Sequence, residues 1–389
     1  MKILIAADLY YPQVNGCACF SQRLAKQLLL KGHNVLVLAP SESWAFTTKA
    51  INGINVFGVR SCPILFYPGF RFCLSLWYSK KIAATVLAFA PDIIHCQFHF
   101  GVNRAVLKIA KRHKIPIIAT NHFMPDTMVH YVPLASIFGH WLLQIAWKDF
   151  AKVYAKMDLI TTPTKIASKL IAKYFASPVM PISCGIDLNL FKPGREARYL
   201  RDRYALAARP LLLYVGRLDK EKNLDVVIRA SALAMRTLDF QLVIAGQGTQ
   251  LDNLRKLAEN LRIRDRVLFV GFVPDVDLPY LYCLADCFII AGTAELQSIV
   301  TMEAMATALP ILAVDAVALP ELVIHGHNGY LFSLNNPDDL ANKIKLIFTD
   351  ANLRKKLGQT SYALIAAHSM DKVIGEYEAI YQAMILKND

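Results

Sequence analysis

Two carboxylates, Glu295 and Glu303, stand eight residues apart in the segment 294–306, AELQSIVTMEAMA. Apolar runs at 287–291 and 310–314 flank it, which places the segment inside a β-α-β unit. Eight helical steps would turn the two side chains about 80° apart, so Glu295 is expected on the loop and Glu303 inside the helix. The first helix amides, near Gln297, Ser298, Ile299 and Val300, then point between them, and such amides bind phosphate without any side-chain charge. Carboxylates that accept from hydroxyls, set around amides that hold phosphate, suit a nucleotide-sugar. Taken alone, the pair equally fits a helix first turn beside a solvated loop residue. It also fits the acid and base of a glycoside hydrolase, which needs two carboxyls at a set separation.

The stretch 216–223, GRLDKEKN, follows the apolar run 211–215, which puts Arg217 and Lys222 at a strand's carboxyl end. Both can reach a diphosphate, Arg217 as a bidentate fork and Lys222 as a point charge. A hydrolase would leave these two cations idle. The loop 246–251, GQGTQL, nearly satisfies a dinucleotide fingerprint, but Leu251 stands where a third small residue is required, which demotes a dehydrogenase. Gly16, just before a helical pattern, lets backbone amides approach a ligand. His95 and His99 are four apart, a spacing that binds metal only on a helix and with a third ligand, so no metal site is read there.

Strand-like runs must position these residues. They fall at 2–7, 34–39, 93–96, 115–119 and 159–161, with helical patterns at 19–31 and 101–113 between them. In the second half they recur at 211–215, 241–245, 267–270, 287–291 and 311–314. Such alternation implies parallel sheets covered on both faces, and two sets imply two doubly wound α/β domains. The connector 181–193, with turn residues at both ends, marks the boundary. The expected domains are 1–185, joined by a last helix near 370–389, and 186–369.

The E-x7-E pair followed by Ala-Met-Ala, the GRL and KN residues, the G-x-G loop and the closing segments 320–323 (PELV) and 327–332 (HNGYLF) resemble the retaining glycosyltransferases of family four, which have the GT-B fold. The connector 184–193 (CGIDLNLFKP) resembles that family's interdomain segment, with Cys184 where Asn is usual. The resemblance implies two Rossmann-like domains facing a central cleft, an N-terminal domain for the acceptor and a C-terminal domain for the donor. It further implies that Glu295 holds donor-sugar hydroxyls, that Glu303 holds the ribose, and that amides of Gln297, Ser298, Ile299 and Val300 hold the diphosphate. Arg217 and Lys222 would stabilise the departing nucleoside diphosphate, a major catalytic effect. Gly216, Gly246 and Gly248 fall on donor-binding loops, and Phe272 with Val273 on the loop that holds the nucleobase. Gly16 matches the loop facing the donor phosphate, although Asn15 replaces that loop's first glycine. His122, after the run 115–119, matches a histidine beside the donor sugar, where as a neutral donor it would stabilise developing charge. The implied donor is a UDP- or GDP-hexose. No tightly bound cofactor is expected, and no visible motif requires Mg2+.

The 389 residues suffice for two ordinary domains, and no run of about 18 or more is both charge-free and strongly apolar. Eight scattered cysteines form no CxxC pair, so neither a zinc site nor a disulfide framework is indicated and a reducing cytoplasm is expected. Charge is lopsided: residues 1–185 carry 20 Lys and Arg against 6 Asp and Glu, or +14, and the remainder carries 23 against 24, or −1. An anionic partner of the first half follows. Lys148, Lys152 and Lys156 recur every four residues, as do Lys165, Lys169 and Lys173, beside Trp141, Trp147, Phe150 and Tyr154. With the aromatic stretches 66–72 and 77–81 they form what a protein lying on an anionic bilayer presents, and a solvated stripe over core aromatics is the plainer alternative. Segments 121–125 and 294–298 resemble those of bacterial enzymes that glycosylate diacylglycerol or related lipids, so a lipid acceptor at the inner face of the membrane is expected. Soluble, polysaccharide or lipopolysaccharide acceptors are the alternative. A nucleic-acid-binding role is remote, because no recognised module supports it. Oligomeric state is not legible.

Overall fold

The computed structural model describes residues 1–13, 15–63, 71–73, 75–123 and 135–387, with backbone alone for 75–78, 135–140 and 142. The chain divides into two compact units, Met1–Cys184 with Asp371–Asp389, and Gly185–Met370.

The first unit is built on strands β1 (Lys2–Ala6), β2 (Asn34–Pro40), β3 (Thr47–Ile51) and β4 (Ile54–Val59), then the short pair β5 (Cys62–Pro63) and β6 (Arg71–Phe72). Strands β7 (Ile93–Cys96), β8 (Ile117–Thr120), β9 (Leu159–Thr162) and β10 (Val179–Pro181) follow. The large sheet has the order β10-β9-β8-β7-β1-β2-β4-β3, parallel except for the antiparallel β3–β4 edge. β1, β7, β8 and β9 are buried along nearly their whole length, as strands covered on both faces must be, and their few polar members, His95, Thr120, Thr161 and Thr162, are hydrogen-bonded inside. From β1 the chain winds outward through β2 to β4, then returns beside β1 as β7 and winds the other way. The β1–β7 gap is therefore the topological switch point, the place where open sheets bind ligands beyond their carboxyl ends.

The second unit holds β11 (Leu211–Val215), β12 (Gln241–Ala245), β13 (Val267–Gly271), β14 (Cys287–Ile290), β15 (Ile311–Val314) and β16 (Gly329–Phe332). Their order is β13-β12-β11-β14-β15-β16 and every pairing is parallel. Here the switch point lies between β11 and β14.

Local differences from the sequence reading have local causes. Strand β8 begins at Ile117 rather than 115, because Lys114 is left-handed (φ 53°) and Pro116 has no amide hydrogen to give a ladder. The first helix runs Gly16–Leu30 because Asn15 caps it, accepting from Ala18 N at 2.9 Å. Asn15, which looked like a loss from a glycine loop, is the residue that starts the helix. The last helix, Met370–Leu386, is tied into the first unit by buried Tyr377 and Tyr381.

Candidate functional site

In the second unit the switch point gathers the predicted residues. Lys222 leaves the loop after β11 and Glu295 the loop after β14, and Lys222 Nζ donates to Glu295 Oε1 at 2.6 Å. Both side chains are mostly covered, at 17% and 16% exposure, so the pair is stronger than a surface ion pair. Gly292 leaves room for it, since a β-carbon there would lie 2.8 Å from Glu295 Oε1. Asn223, left-handed at φ 50°, donates from Nδ2 to Ala291 O at 2.9 Å and ties the β11 loop to the end of β14. Arg217 is held by Asp219 Oδ2 at 2.6 Å and Glu221 Oε1 at 3.0 Å. Each cation expected to meet a diphosphate thus rests on a carboxylate, which an incoming ligand must displace or share.

The helix after β14 spans Ile299–Ala306 with Ser298 as N-cap, its Oγ accepting from Thr301 N at 3.3 Å. The first intrahelical acceptance comes from Met302 N to Ser298 O, so the amides of Ile299 and Val300 precede the helix ladder and face its positive end. Glu295 lies on the loop, and Glu303 lies inside the helix, buried, its Oε2 accepting from Tyr282 OH at 3.1 Å. Gln297 and Ser298 are buried beside it.

The G-x-G loop has a packing reason of its own. A β-carbon on Gly246 (φ +145°) would lie 1.8 Å from Gly216 O, and one on Gly248 2.5 Å from the Leu218 backbone. Leu218 N donates to Gln247 O, Gln250 N donates to Leu218 O, and Thr249 N and Oγ1 both donate to Asp219 Oδ1. The glycines therefore let two loops at adjacent strand ends run in contact, with Asp219 joining them. Gly216 is itself left-handed, φ 150°. Phe272 is half exposed and Val273 buried after β13.

In the first unit the switch point gathers Asp8 after β1, Gln97 and His99 after β7, and Asn121 and His122 after β8. Asp8 accepts from Phe100 N at 2.8 Å, Val102 N at 2.9 Å and Asn103 Nδ2 at 2.6 Å, so it caps the helix Gly101–His113, whose own Phe100 N-cap offers no side-chain acceptor. Burial raises its pKa, and those hydrogen bonds oppose the rise. His122 Nε2 lies 3.0 Å from Gln97 Oε1, and its ring packs at 4.9 Å on Phe20. Burial lowers its pKa to about 3, so the ring is neutral. The donor role expected of His122 meets a limit here, because the Nε2 position already faces an acceptor. Gly16, in the first helix turn, is exposed. Met124 and Pro125, predicted with His122, lie outside the described residues, as do 66–70 and the side chains of Trp77 and Tyr78.

His95 has a structural occupation. Its Nδ1 meets Tyr381 OH and its Nε2 Thr120 Oγ1, each at 2.7 Å, and Thr120 continues to Thr161 and Tyr377. His99 sits among Phe98, Phe100, Phe123, Phe150 and Tyr154, and burial lowers its pKa to about 3. Among the described residues Tyr10 Oη, Gln97 Nε2, His99 Nδ1 and Asn121 Nδ2 are buried with no hydrogen-bond partner. Each such group costs about 1–3 kcal/mol, a burden expected where a ligand or water supplies the partner. Sequence reasoning gave no role of their own to Gln97, Asn121 and Asp219; their shared signal is a polar residue within four positions of a buried strand's carboxyl end.

Two family models match the chain, Glycosyltransferase Family 4 over residues 14–190 and Glycosyl transferases group 1 over 200–364. The chain is 28% identical over 401 residues to alpha-monoglucosyldiacylglycerol synthase of Streptococcus pneumoniae, covering 100% of this chain and 87% of that one. Sucrose-phosphate synthase from Thermosynechococcus elongatus shares its fold at a TM-score of 0.82 and 18% identity, over 99% of both chains. HepE of Anabaena, solved with UDP and glucose, does so at 0.78 and 20%, over 98% of this chain and 100% of that one. With two Rossmann-like units and these matches along almost its whole length, the chain belongs to the GT-B glycosyltransferases of family four and group 1.

Proposed function

We propose that the protein transfers a hexose from a nucleoside-diphosphate sugar to a hydroxyl of a membrane lipid, with retention of anomeric configuration. The observation that carries this reading is the Lys222–Glu295 pair at the switch point of the second unit, one loop away from the Ser298-capped helix. Glu295 holds sugar hydroxyls, Glu303 the ribose, and Arg217, Lys222 and the first helix amides the leaving diphosphate. Positive charge organised in advance where a diphosphate departs is worth several kcal/mol of barrier. Gly216, Gly246 and Gly248 shape the loops that carry these groups, and Phe272 with Val273 border the base. The second unit is thereby the donor domain and the first the acceptor domain, where His122 and Gly16 belong.

The lipid acceptor is supported by the likeness to the monoglucosyldiacylglycerol synthase and by the basic first unit. All six lysines of the two periodic series are exposed, as are Trp141 at 60% and Ile145 at 43% on the helix Ala135–Tyr154. A groove of about 650 Å3 is lined by Arg104, Lys108, Lys111, Lys152 and Lys156, against the single acid Asp149. Phe150 and Tyr154 are core residues, and Trp147 stacks on Tyr174 at 4.4 Å, so the lysines ride partly over packed aromatics. No described helix is long and apolar enough to cross a membrane; the reading of a protein that lies on the cytoplasmic face rests on the exposed lysines and aromatics.

The test is incubation with UDP- and GDP-hexoses and a lipid extract, read by mass spectrometry. A glycosylated lipid that disappears in both Glu295→Ala and Lys222→Ala is the expected result. A glycosylated soluble or polysaccharide product in its place would move the acceptor, and unaltered turnover in both variants would refute the site.

A further inference from the structure

We propose that Gln97 is the positioning residue of His122: by accepting the ring's Nε2–H it fixes one neutral tautomer and leaves Nδ1 as the acceptor that a ligand hydroxyl meets. The inference rests on the reading of His122 as a group beside the donor sugar.

Gln97 is the first residue after β7 and is fully buried. Its backbone is fixed on both sides, the amide donating to Ala6 O at 2.8 Å and the carbonyl accepting from Cys17 Sγ at 3.2 Å. From that anchored backbone the buried side chain reaches His122, its Oε1 ending 3.0 Å from His122 Nε2. His122 is braced in turn. Asn121 N donates to Thr161 O at 2.8 Å, and Asn121 Oδ1 accepts from Phe123 N at 3.1 Å, so the backbone is held before and after the histidine. Phe20 packs on the ring face.

The contact discriminates between the two neutral forms of imidazole. An amide oxygen accepts only, so it requires a proton on Nε2 and removes it from Nδ1. In the opposite amide orientation Gln97 would donate, the proton would sit on Nδ1, and the ring would offer a donor to the ligand instead. The two arrangements present opposite polarity to a sugar hydroxyl, so Gln97 decides what His122 recognises.

The experiment uses the full-length chain labelled with nitrogen-15, whose long-range proton–nitrogen spectra separate the two histidine tautomers at pH 7. The His122 signals are assigned by their loss in His122→Asn. Expected is an Nε2–H pattern in the native protein, a mixture of tautomers in Gln97→Leu, and retention of the pattern in Gln97→Glu, which keeps an oxygen in place. Turnover of Gln97→Leu should fall about tenfold or more at saturating donor, with the donor KM within about twofold, as expected when the ring's acceptor towards the ligand is no longer fixed. A native Nδ1–H pattern overturns the proposal, and the native spectrum decides even if Gln97→Leu does not fold. Native tautomer and native turnover in Gln97→Leu also overturn it. Full turnover in His122→Asn would instead defeat the underlying reading of His122 while the tautomer assignment stood.

Discussion

Acidification should unfold the first unit well before the second. His95 and His99 are 0% and 2% exposed, and burial holds each pKa at about 3 against an ordinary 6.5. A base whose folded pKa is lowered binds its proton in the unfolded chain first, so folding stability is present above about 6.5 and is lost as pH falls towards 3. Between pH 7 and pH 5 each ring forfeits about 2 kcal/mol, a figure set by the unfolded value as long as the folded one stays well below 5. The two together forfeit about 4 kcal/mol, a large part of the roughly 5–15 kcal/mol that stabilises a domain. His122 adds to the loss with the same sign, whereas Asp8, whose pKa is raised by burial, opposes it at the acid end. All four tryptophans, Trp44, Trp77, Trp141 and Trp147, fall within residues 1–184, so tryptophan fluorescence follows this unit alone. Urea titrations at pH 7 and pH 5 should show the unfolding free energy falling by several kcal/mol, and His99→Phe should recover about half of the part assigned to the two rings. Equal stability at both pH values, or an unaltered loss in His99→Phe, would refute the reasoning.

Lys222→Met strands Glu295 without its cation and removes a diphosphate contact, so kcat/KM should drop by about 10²–10³, measured by nucleotide release. Gly248→Ala drives a β-carbon to 2.5 Å from the Leu218 backbone and should cost about 1–3 kcal/mol in thermal unfolding of the second unit, with weakened donor binding by calorimetry. Replacing Lys148, Lys152 and Lys156 together by Glu should abolish co-sedimentation with anionic liposomes while leaving slow hydrolysis of the donor intact. Tyr377→Phe, which removes hydroxyl contacts at 3.2 Å and 3.3 Å to Thr120 and Thr161, should cost about 1 kcal/mol in the fluorescence titration.

Continuous apolar runs make strands such as Leu211–Val215 and Cys287–Ile290 legible, because strands buried on both faces leave no polar alternation to misread. The helix at Ile299 was legible from the apolar runs that flank its segment. The β3 edge strand was not, since TTKAI is polar, exposed along its middle and held by its pairing with β4. β10, with only three residues, and the glycine-led β16 carry too little pattern to stand out. Within the candidate sites Arg217, Lys222 and Glu295 announced themselves, whereas Asp8, Asp219, Gln97 and Asn121 did not. A buried amide is recognisable only by what faces it, and the side chains that face these two, His122 and Tyr154, lie 25 and 33 residues away in sequence.

The helix Met370–Leu386 closes a circuit with consequences for how the protein is made. On the ribosome, residues 185–370 emerge as one uninterrupted stretch and have all the strands of their own sheet. The opening 184 residues come out earlier, but the hydroxyls of Tyr377 and Tyr381 that pair with Thr120, Thr161 and the imidazole of His95 follow only after the second unit. Until then those interior polar groups lack part of their pairing. Residues 371–389 thus complete a unit whose first 184 residues are translated long before them, and a chain stopped near residue 370 has every strand of the second unit but lacks the hydroxyls that pair inside the first.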